Sequence, residues 1–257
     1  MDLFIGVLLF GAGVIGGALS GMVGGASMVT FPALLAAGLP PINAAACNIV
    51  AAIPSNFAAA MMDRKRLPRL DRPFLAFAGA SVLGAGIGAL LLVMTPQRLF
   101  EVLVPFLLAF ATILFATSRR IAGWLRARAE ARGRTVNAVN PNSIPLMLPV
   151  SVYGGYFGAG VGVLALAVLS LGAEGDYRIA NMTKNIVMGL NTIVAAAVLS
   201  AQGVVAWPPT FMMMAGTVLG GMMGGHLVGV VPQPIMRVLV VAVGVILTVA
   251  FVWRYWL

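Results

Sequence analysis

Residues 21–48 read GMVGGASMVTFPALLAAGLPPINAAACN. This stretch contains no charged residue, so we expect it inside a membrane. Several of its residues would nevertheless interrupt a continuous helix: Gly21, Gly24, Gly25, Pro32, Gly38, Pro40 and Pro41. Irregular backbone at membrane depth is tolerated only where it is buried in protein or lines a polar cavity. The stretch therefore predicts a broken, glycine-rich hairpin that borders a functional site.

The second half of the chain repeats this pattern. Gly155, Gly158 and Gly172 have the same mutual spacing as Gly21, Gly24 and Gly38, and the triplet Asn48-Ile49-Val50 is echoed by Asn185-Ile186-Val187. A second constant offset pairs Pro96-Gln97 with Pro232-Gln233, Gly84 with Gly220, and Gly88 with Gly224. Paired interrupted segments in corresponding halves indicate the substrate site of a transporter.

Composition assigns the chain to the membrane. Of its 257 residues 61% are hydrophobic and only 9% are charged, with a mean hydropathy of +1.02, whereas soluble domains carry roughly 25% charged residues. The net charge of +9 comes from basic residues clustered in two connecting segments, which is typical of cytoplasmic loops rather than of nucleic-acid binding. The single cysteine excludes an internal disulfide and any metal site built from several cysteines. The first residues lack the basic region of a signal peptide, so we interpret residues 3–19 as a retained membrane segment.

These observations predict an all-α polytopic membrane protein with two inverted repeats of four to five membrane segments each. Residues 1–117 form the first repeat, residues 118–142 a basic cytoplasmic linker, and residues 143–257 the second repeat. An interfacial amphipathic helix is the alternative for part of the linker. Because basic loops stay inside, the turn at Gly38–Pro41 and the C-terminus should lie outside. Eight and ten spans both remain open.

Several segments resemble the TauE/SafE family of sulfite exporters. They are PALLAAG at Pro32–Gly38, Asn43-Ala44, QGVVAW at Gln202–Trp207, and the pair Thr183-Lys184, with Asn191 seven residues after Lys184. Many members of the family carry Thr-Ser or Thr-Asn where this chain has Cys47-Asn48. The resemblance covers nearly the whole chain. It implies transport of small sulfur-containing anions such as sulfite, thiosulfate or organosulfonates across the inner membrane.

Lys184 is the main candidate for binding such an anion, because a charged group inside a bilayer is costly and marks function by default. The alternatives are that it extends to the interface or pairs with Glu174 or Asp176. The remaining candidates are amide, hydroxyl, thiol and backbone N–H groups on the same segments: Asn48, Asn185, Thr183, Cys47, Asn191, Gly24, Gly25, Gly158 and Gly160. For the asparagines the alternative is hydrogen bonding between helices, and for the glycines it is close helix packing. Cys47 would either react with a sulfur substrate or fill apolar space.

We therefore expect a secondary transporter that works by alternating access, with a passive anion channel or a non-transporting scaffold as alternatives. The scarcity of histidine, cysteine and membrane carboxylates argues against an enzyme. We expect no cofactor and no metal. The expected partners are a small inorganic or organic sulfur anion and the lipid bilayer, and a second copy of the chain is a further candidate.

Overall fold

The computed structural model describes residues 2–23, 26–62, 70–131, 139, 143–172, 177–227 and 233–256, and these form eleven α-helices without a β-strand. The predicted all-α class is therefore confirmed. In chain order the helices are α1 Leu3–Val23, α2 Ser27–Ala36, α3 Pro41–Ala51, α4 Ile53–Met62, α5 Arg72–Met94, α6 Gln97–Ala131, α7 Ile144–Tyr156, α8 Val161–Gly172, α9 Tyr177–Ala201, α10 Trp207–Leu227 and α11 Gln233–Trp256.

Prolines and one cap residue fix where several helices begin and end. Pro41 and Pro73 occupy the first turns of α3 and α5, where the missing N–H costs nothing. Asp71 caps α5 by accepting a hydrogen bond of 2.9 Å from the backbone N–H of Phe74. The apolar stretch that follows the first hairpin is divided at Ala52, between α3 and α4, because Pro54 has no N–H for the carbonyl four residues earlier.

The second glycine-rich stretch breaks between α7 and α8. Gly158 and Gly160 adopt φ angles of +78° and +76°, a backbone conformation that glycine reaches without the steric cost of a Cβ. The flanking helices, with 13 and 12 residues, are each too short to cross a hydrocarbon core that requires about 20 residues. The corresponding break near Gly24 and Gly25 lies outside the described residues.

Helix α6 continues past residue 117, where the sequence placed the end of the first repeat. It has 35 residues, or about 52 Å of helix, and its apolar part ends near Ser118. The helix continues into the segment that we assigned to the linker because residues 119–131 consist mainly of alanine, arginine and leucine, which have high helix propensity. The basic segment therefore begins as a helical extension of a membrane span.

Two helix pairs, α1 with α10 and α5 with α7, make the most extensive contacts in the fold. In the second pair, a Cβ on Gly84 would lie 2.7 Å from the carbonyl oxygen of Leu148, and one on Gly88 would overlap the carbonyl oxygen of Val152. Both contact positions advance by four residues, so the two helices run in the same direction. Small residues let helix backbones approach this closely in a membrane.

The outer surface of the bundle is apolar. Large hydrophobic side chains are exposed along α5, α6 and α11, including Leu83, Ile113 and Ile246 at 66%, 62% and 65% exposure. Within the described residues, four helices are long and apolar enough to cross a bilayer: those containing Leu3–Ser20, Arg72–Met94, Gln97–Ser118 and Ile179–Ala201. An apolar exterior around buried serine, threonine and asparagine side chains is the arrangement expected of a multi-pass membrane protein.

Replacing Gly88 by alanine should destabilise the fold, because the new methyl group would overlap the Val152 carbonyl at the α5–α7 contact. We expect a loss of about 1–3 kcal/mol, seen as a lower melting temperature of the detergent-purified protein. Gly79→Ala is the matched control in the same helix, since no atom lies within 4 Å of its added Cβ. Equal melting temperatures for the two variants would contradict the packing argument.

Candidate functional site

A cavity lies between the two halves of the chain. Its volume is about 40 Å³, and about 10–15 Å³ on the same measure is enough for one water molecule. Helices α1 to α4 contribute to its wall from the first half, and α7, α8 and α9 contribute from the second. The polar or backbone-exposing residues that line it are Ser20, Ser27, Asn48, Asn56, Gly154, Gly158, Gly162, Lys184, Asn191 and Thr192.

Lys184 brings a positive charge to this wall. Its side chain is only 3% exposed, and it is the only charged residue among the described residues that are buried. The structure gives it no hydrogen bond or ion pair with another described residue. The sequence alternatives, pairing with Glu174 or Asp176, concern residues outside the described part of the chain. Lys184 therefore offers its ammonium donors to the cavity.

Asn48 contributes a second donor. Its Oδ1 accepts a hydrogen bond of 2.5 Å from the hydroxyl of Thr30, which also lies 3.0 Å from the carbonyl oxygen of Ala26. Its Nδ2 is fully buried and has no hydrogen-bond partner among the described residues. A buried donor without a partner costs roughly 1–3 kcal/mol. An acceptor in the cavity would satisfy this group.

The start of α8 also faces the cavity. Gly158, Val161 and Gly162 line it. The N–H groups of Val161 and Val163 already donate to the carbonyls of Gly158 and Gly160, at 3.4 and 3.0 Å, so this helix end acts on the cavity chiefly through its dipole. The start of α2 approaches from the other half through Ala26 and Ser27. Helix N-termini favour negative charge, so two of them on one cavity add to the effect of Lys184.

Asn191 lines the same cavity and also joins three helices. Its Nδ2 lies 3.3 Å from both the carbonyl and the hydroxyl oxygen of Ser81 on α5, and 3.5 Å from the carbonyl oxygen of Ser151 on α7. The Ser151 hydroxyl in turn donates to the Ser81 hydroxyl at 3.1 Å. The amide nitrogen of Asn191 is thus used in helix packing.

Other predicted site residues do not line this cavity. The hydroxyl of Thr183 donates to the carbonyl of Ile179 at 2.8 Å, and Asn185 is buried elsewhere at 4% exposure. The sulfur of Cys47 accepts a hydrogen bond of 3.2 Å from the N–H of Ala206. Gly160 packs towards α6. Gly24 and Gly25 lie outside the described residues.

Sequence reasoning missed four polar residues of the wall: Ser20, Ser27, Asn56 and Thr192. The Asn56 Nδ2 donates to the Thr192 hydroxyl across the two halves, at 3.4 Å. The sequence offered a signal for two of these residues: Thr192 directly follows Asn191, and Ser27 comes two residues after Gly25. Asn56 lies in α4, two residues after Pro54, and was not predicted from the sequence.

Comparison with known proteins places this architecture in a family. The family model described as sulfite exporter TauE/SafE matches residues 9–251. The chain belongs to this family. The predicted resemblance is thereby confirmed.

Curated relatives agree with this assignment across nearly their whole length. A "probable membrane transporter protein" of Haemophilus influenzae is 26% identical over 263 residues, covering 98% of this chain and 97% of the relative. The "probable membrane transporter protein ORF9" of a Sinorhizobium species is 27% identical, covering 94% and 90%. The "probable membrane transporter protein YfcA" of Escherichia coli is 28% identical, covering 96% and 88%. No solved structure matches the chain.

A cysteine at Thr192 should react with a small thiol reagent, because this position lines the cavity. We expect methyl methanethiosulfonate to modify Thr192→Cys at least several-fold faster than Ala195→Cys, which is buried on the same helix but away from the cavity. Both variants are made in a Cys47→Ser background, and mass spectrometry follows the modification. Equal rates at the two positions would mean that Thr192 does not line a cavity that the reagent can reach.

Proposed function

We propose that this TauE/SafE protein is a secondary transporter that moves a small sulfur-containing anion across the inner membrane by alternating access. The observation that carries this proposal is that the buried Lys184 and the Nδ2 of Asn48, on one cavity, both lack a partner among the described residues. Both groups donate hydrogen bonds, and the first is cationic. The cavity is therefore suited to an anion that has several acceptor oxygens.

The attraction between Lys184 and a bound anion would be substantial. Opposite unit charges about 4 Å apart attract by about 4 kcal/mol at the effective dielectric of a protein. A buried ammonium without a counterion is strongly disfavoured. The protein should therefore be less stable with the site empty than with an anion bound. Binding an oxyanion would compensate Lys184, satisfy Asn48 and face the N-termini of α2 and α8.

The size of the cavity favours a compact substrate. About 40 Å³ has room for about three water molecules, which is near the size of sulfite and smaller than an organosulfonate with a carbon chain. Among the anions that the family resemblance implies, we therefore favour a small inorganic one. A larger anion would require a more open conformation of the same site.

The contacts between helices support two inverted repeats. Gly84 meets the carbonyl of Leu148, and Gly220 meets the carbonyl of Val14. Gly84 and Gly220 are equivalent by the second offset in the sequence, while Val14 and Leu148 are equivalent by the offset that relates Gly21 to Gly155. The first hairpin thus packs on the second half as the second hairpin packs on the first. Such exchange between halves is the geometric basis of alternating access in inverted-repeat transporters.

The uncharged connections meet at one end of the bundle, as the proposed topology requires. The Asn43 Nδ2 donates to the carbonyl of Val204 at 2.8 Å, which joins the start of α3 to the segment before α10. A second, more open cavity of about 640 Å³ is lined there by Gly38–Pro41, Gln97 and Phe251. We propose that this end faces outward, with the basic segments on the cytoplasmic side.

A carrier accounts for the structure better than the alternatives. Lys184 and Asn48 are only 3% and 1% exposed, so the site is closed in this conformation, whereas a passive channel would keep it hydrated. A scaffold would have no use for an uncompensated buried charge. Relatives that carry transporter names support the prediction that the chain is not an enzyme.

Lys184→Met should weaken anion binding at least about 100-fold, because it removes the charge while keeping a side chain of similar length. The test is thermal stabilisation of the purified protein by sulfite, together with uptake into reconstituted vesicles. Lys184→Arg, which retains the charge, is the control and should keep measurable binding. Undiminished binding by Lys184→Met would exclude this residue from the site.

Asn48 and Asn185 form a matched pair for a second test, since both are buried asparagines at equivalent positions of the two repeats. Only Asn48 lines the cavity. We expect Asn48→Leu to lower anion affinity about tenfold, in line with loss of one hydrogen bond to a charged group, and Asn185→Leu to lower it less than about threefold. A larger effect at Asn185 would shift the proposed site.

A further inference from the structure

The helices around the cavity are almost free of charge. Residues 3–62, which include α1 to α4, contain no Asp, Glu, Lys, Arg or His, and neither do residues 144–172, which include α7 and α8. Helix α9 contains two charged residues, Arg178 and Lys184. Arg178 lies six residues before Lys184, about 9 Å along the helix axis. Lys184 is therefore the only full unit charge among the described residues that line the cavity, and the starts of α2 and α8 add partial charges.

The other titratable groups on elements packed against α9 are engaged elsewhere. Cys47 of α3 binds Ala206. On α7, the Tyr153 hydroxyl donates to the carbonyl of Ala159 at 2.6 Å, and the Tyr156 hydroxyl lies 3.3 Å from that of Thr95. On α5 the only charged residue is Arg72, its exposed first residue. α4 and α8 contain no titratable side chain. Nothing on these elements supplies a second charge or a carboxylate that would exchange protons.

From this charge count we infer that the site binds monoanions and rejects dianions, so that a diprotic substrate binds in its singly protonated form and carries its own proton. The inference rests on the proposed function of the same site. A monoanion next to Lys184 gives a neutral pair, whereas a dianion would leave one negative charge uncompensated in a low-dielectric interior. Lys184 thus determines the number of negative charges on the substrate as well as requiring that the substrate be an anion.

This arrangement links transport to the proton gradient without a carboxylate in the protein. Hydrogen sulfite binds as HSO₃⁻. After release it dissociates in water to SO₃²⁻ and H⁺: the O–H bond breaks, its electron pair stays on oxygen, and nothing is oxidised or reduced. Each HSO₃⁻ that crosses therefore takes one proton with it, and gives that proton up to the extent that the pH on the receiving side favours SO₃²⁻.

The test compares anions of fixed charge with one that titrates. We expect nitrate and chlorate, which are monoanions at all working pH values, to stabilise the purified protein at pH 6 and pH 8, and any change in their binding between these values measures the charge of Lys184 and is the reference for the sulfite series. Sulfate and thiosulfate should bind at least about 100-fold more weakly than chlorate. Sulfite should bind more weakly as the pH rises, in proportion to the loss of its singly protonated form. Binding of sulfate or thiosulfate as tight as that of chlorate would overturn the inference.

A second measurement adds charge to the site. Met188 lines the cavity one turn from Lys184 and is replaced without a large change in length by lysine. Met188→Lys should gain sulfate binding at least about tenfold over wild type, whereas the uncharged control Met188→Gln should not. A folded Met188→Lys protein, judged by its size-exclusion profile, that still rejects sulfate would contradict selection by charge. If the variant does not fold, the anion panel on the wild type still decides.

The outcomes separate this inference from the function on which it rests. If dianions bind as well as monoanions and both are lost in Lys184→Met, the anion site stands and the charge rule fails. If no anion binds, or binding is unchanged in Lys184→Met, the proposed site itself fails.

Discussion

An uncompensated ammonium group inside a membrane protein is the constraint on which the rest of this structure depends. Lys184 is buried in a wall otherwise made of uncharged residues. A buried charge of this kind is costly, and proteins contain one only where another interaction offsets that cost. Among the described residues no carboxylate offsets it. The free amide nitrogen of Asn48 and the starts of α2 and α8 add hydrogen-bond donors, and the hydroxyl and amide groups that also line the cavity can both donate and accept.

Close helix packing holds these donors in place. The backbones of α5 and α7 approach each other at Gly84 and Gly88, and the Ser81–Ser151–Asn191 hydrogen bonds tie the same pair to α9. Because α9 carries Lys184, the position of the charge depends on glycines two helices away. Bulk added at that contact would therefore affect both stability and the geometry of the site.

Much of the fold followed from sequence, because hydropathy, charge asymmetry and glycine spacing are local signals. The all-α class and the position of the glycine-rich break near Gly158 were readable in this way. The division at Ala52 and the extension of α6 to Ala131 were not, since each depends on a single proline or on helix propensity outside the membrane. Within the site, Lys184 and Asn48 stood out as polar residues in apolar segments. Which asparagine reaches the cavity is decided by the rotation of α3 and α9, and repeat equivalence alone does not fix it.

The difference between the two repeats explains how one cavity carries one charge. Lys184 and Cys47 are equivalent positions, each directly before the repeated asparagine. Cys47, together with Asn43 one turn earlier, binds the backbone of the segment before α10, so this repeat uses the position to hold a connection. Two lysines at a pseudo-symmetric site would repel each other across a low-dielectric gap and would favour a dianion. Under the proposed function, the single cation at Lys184 would favour a monoanion.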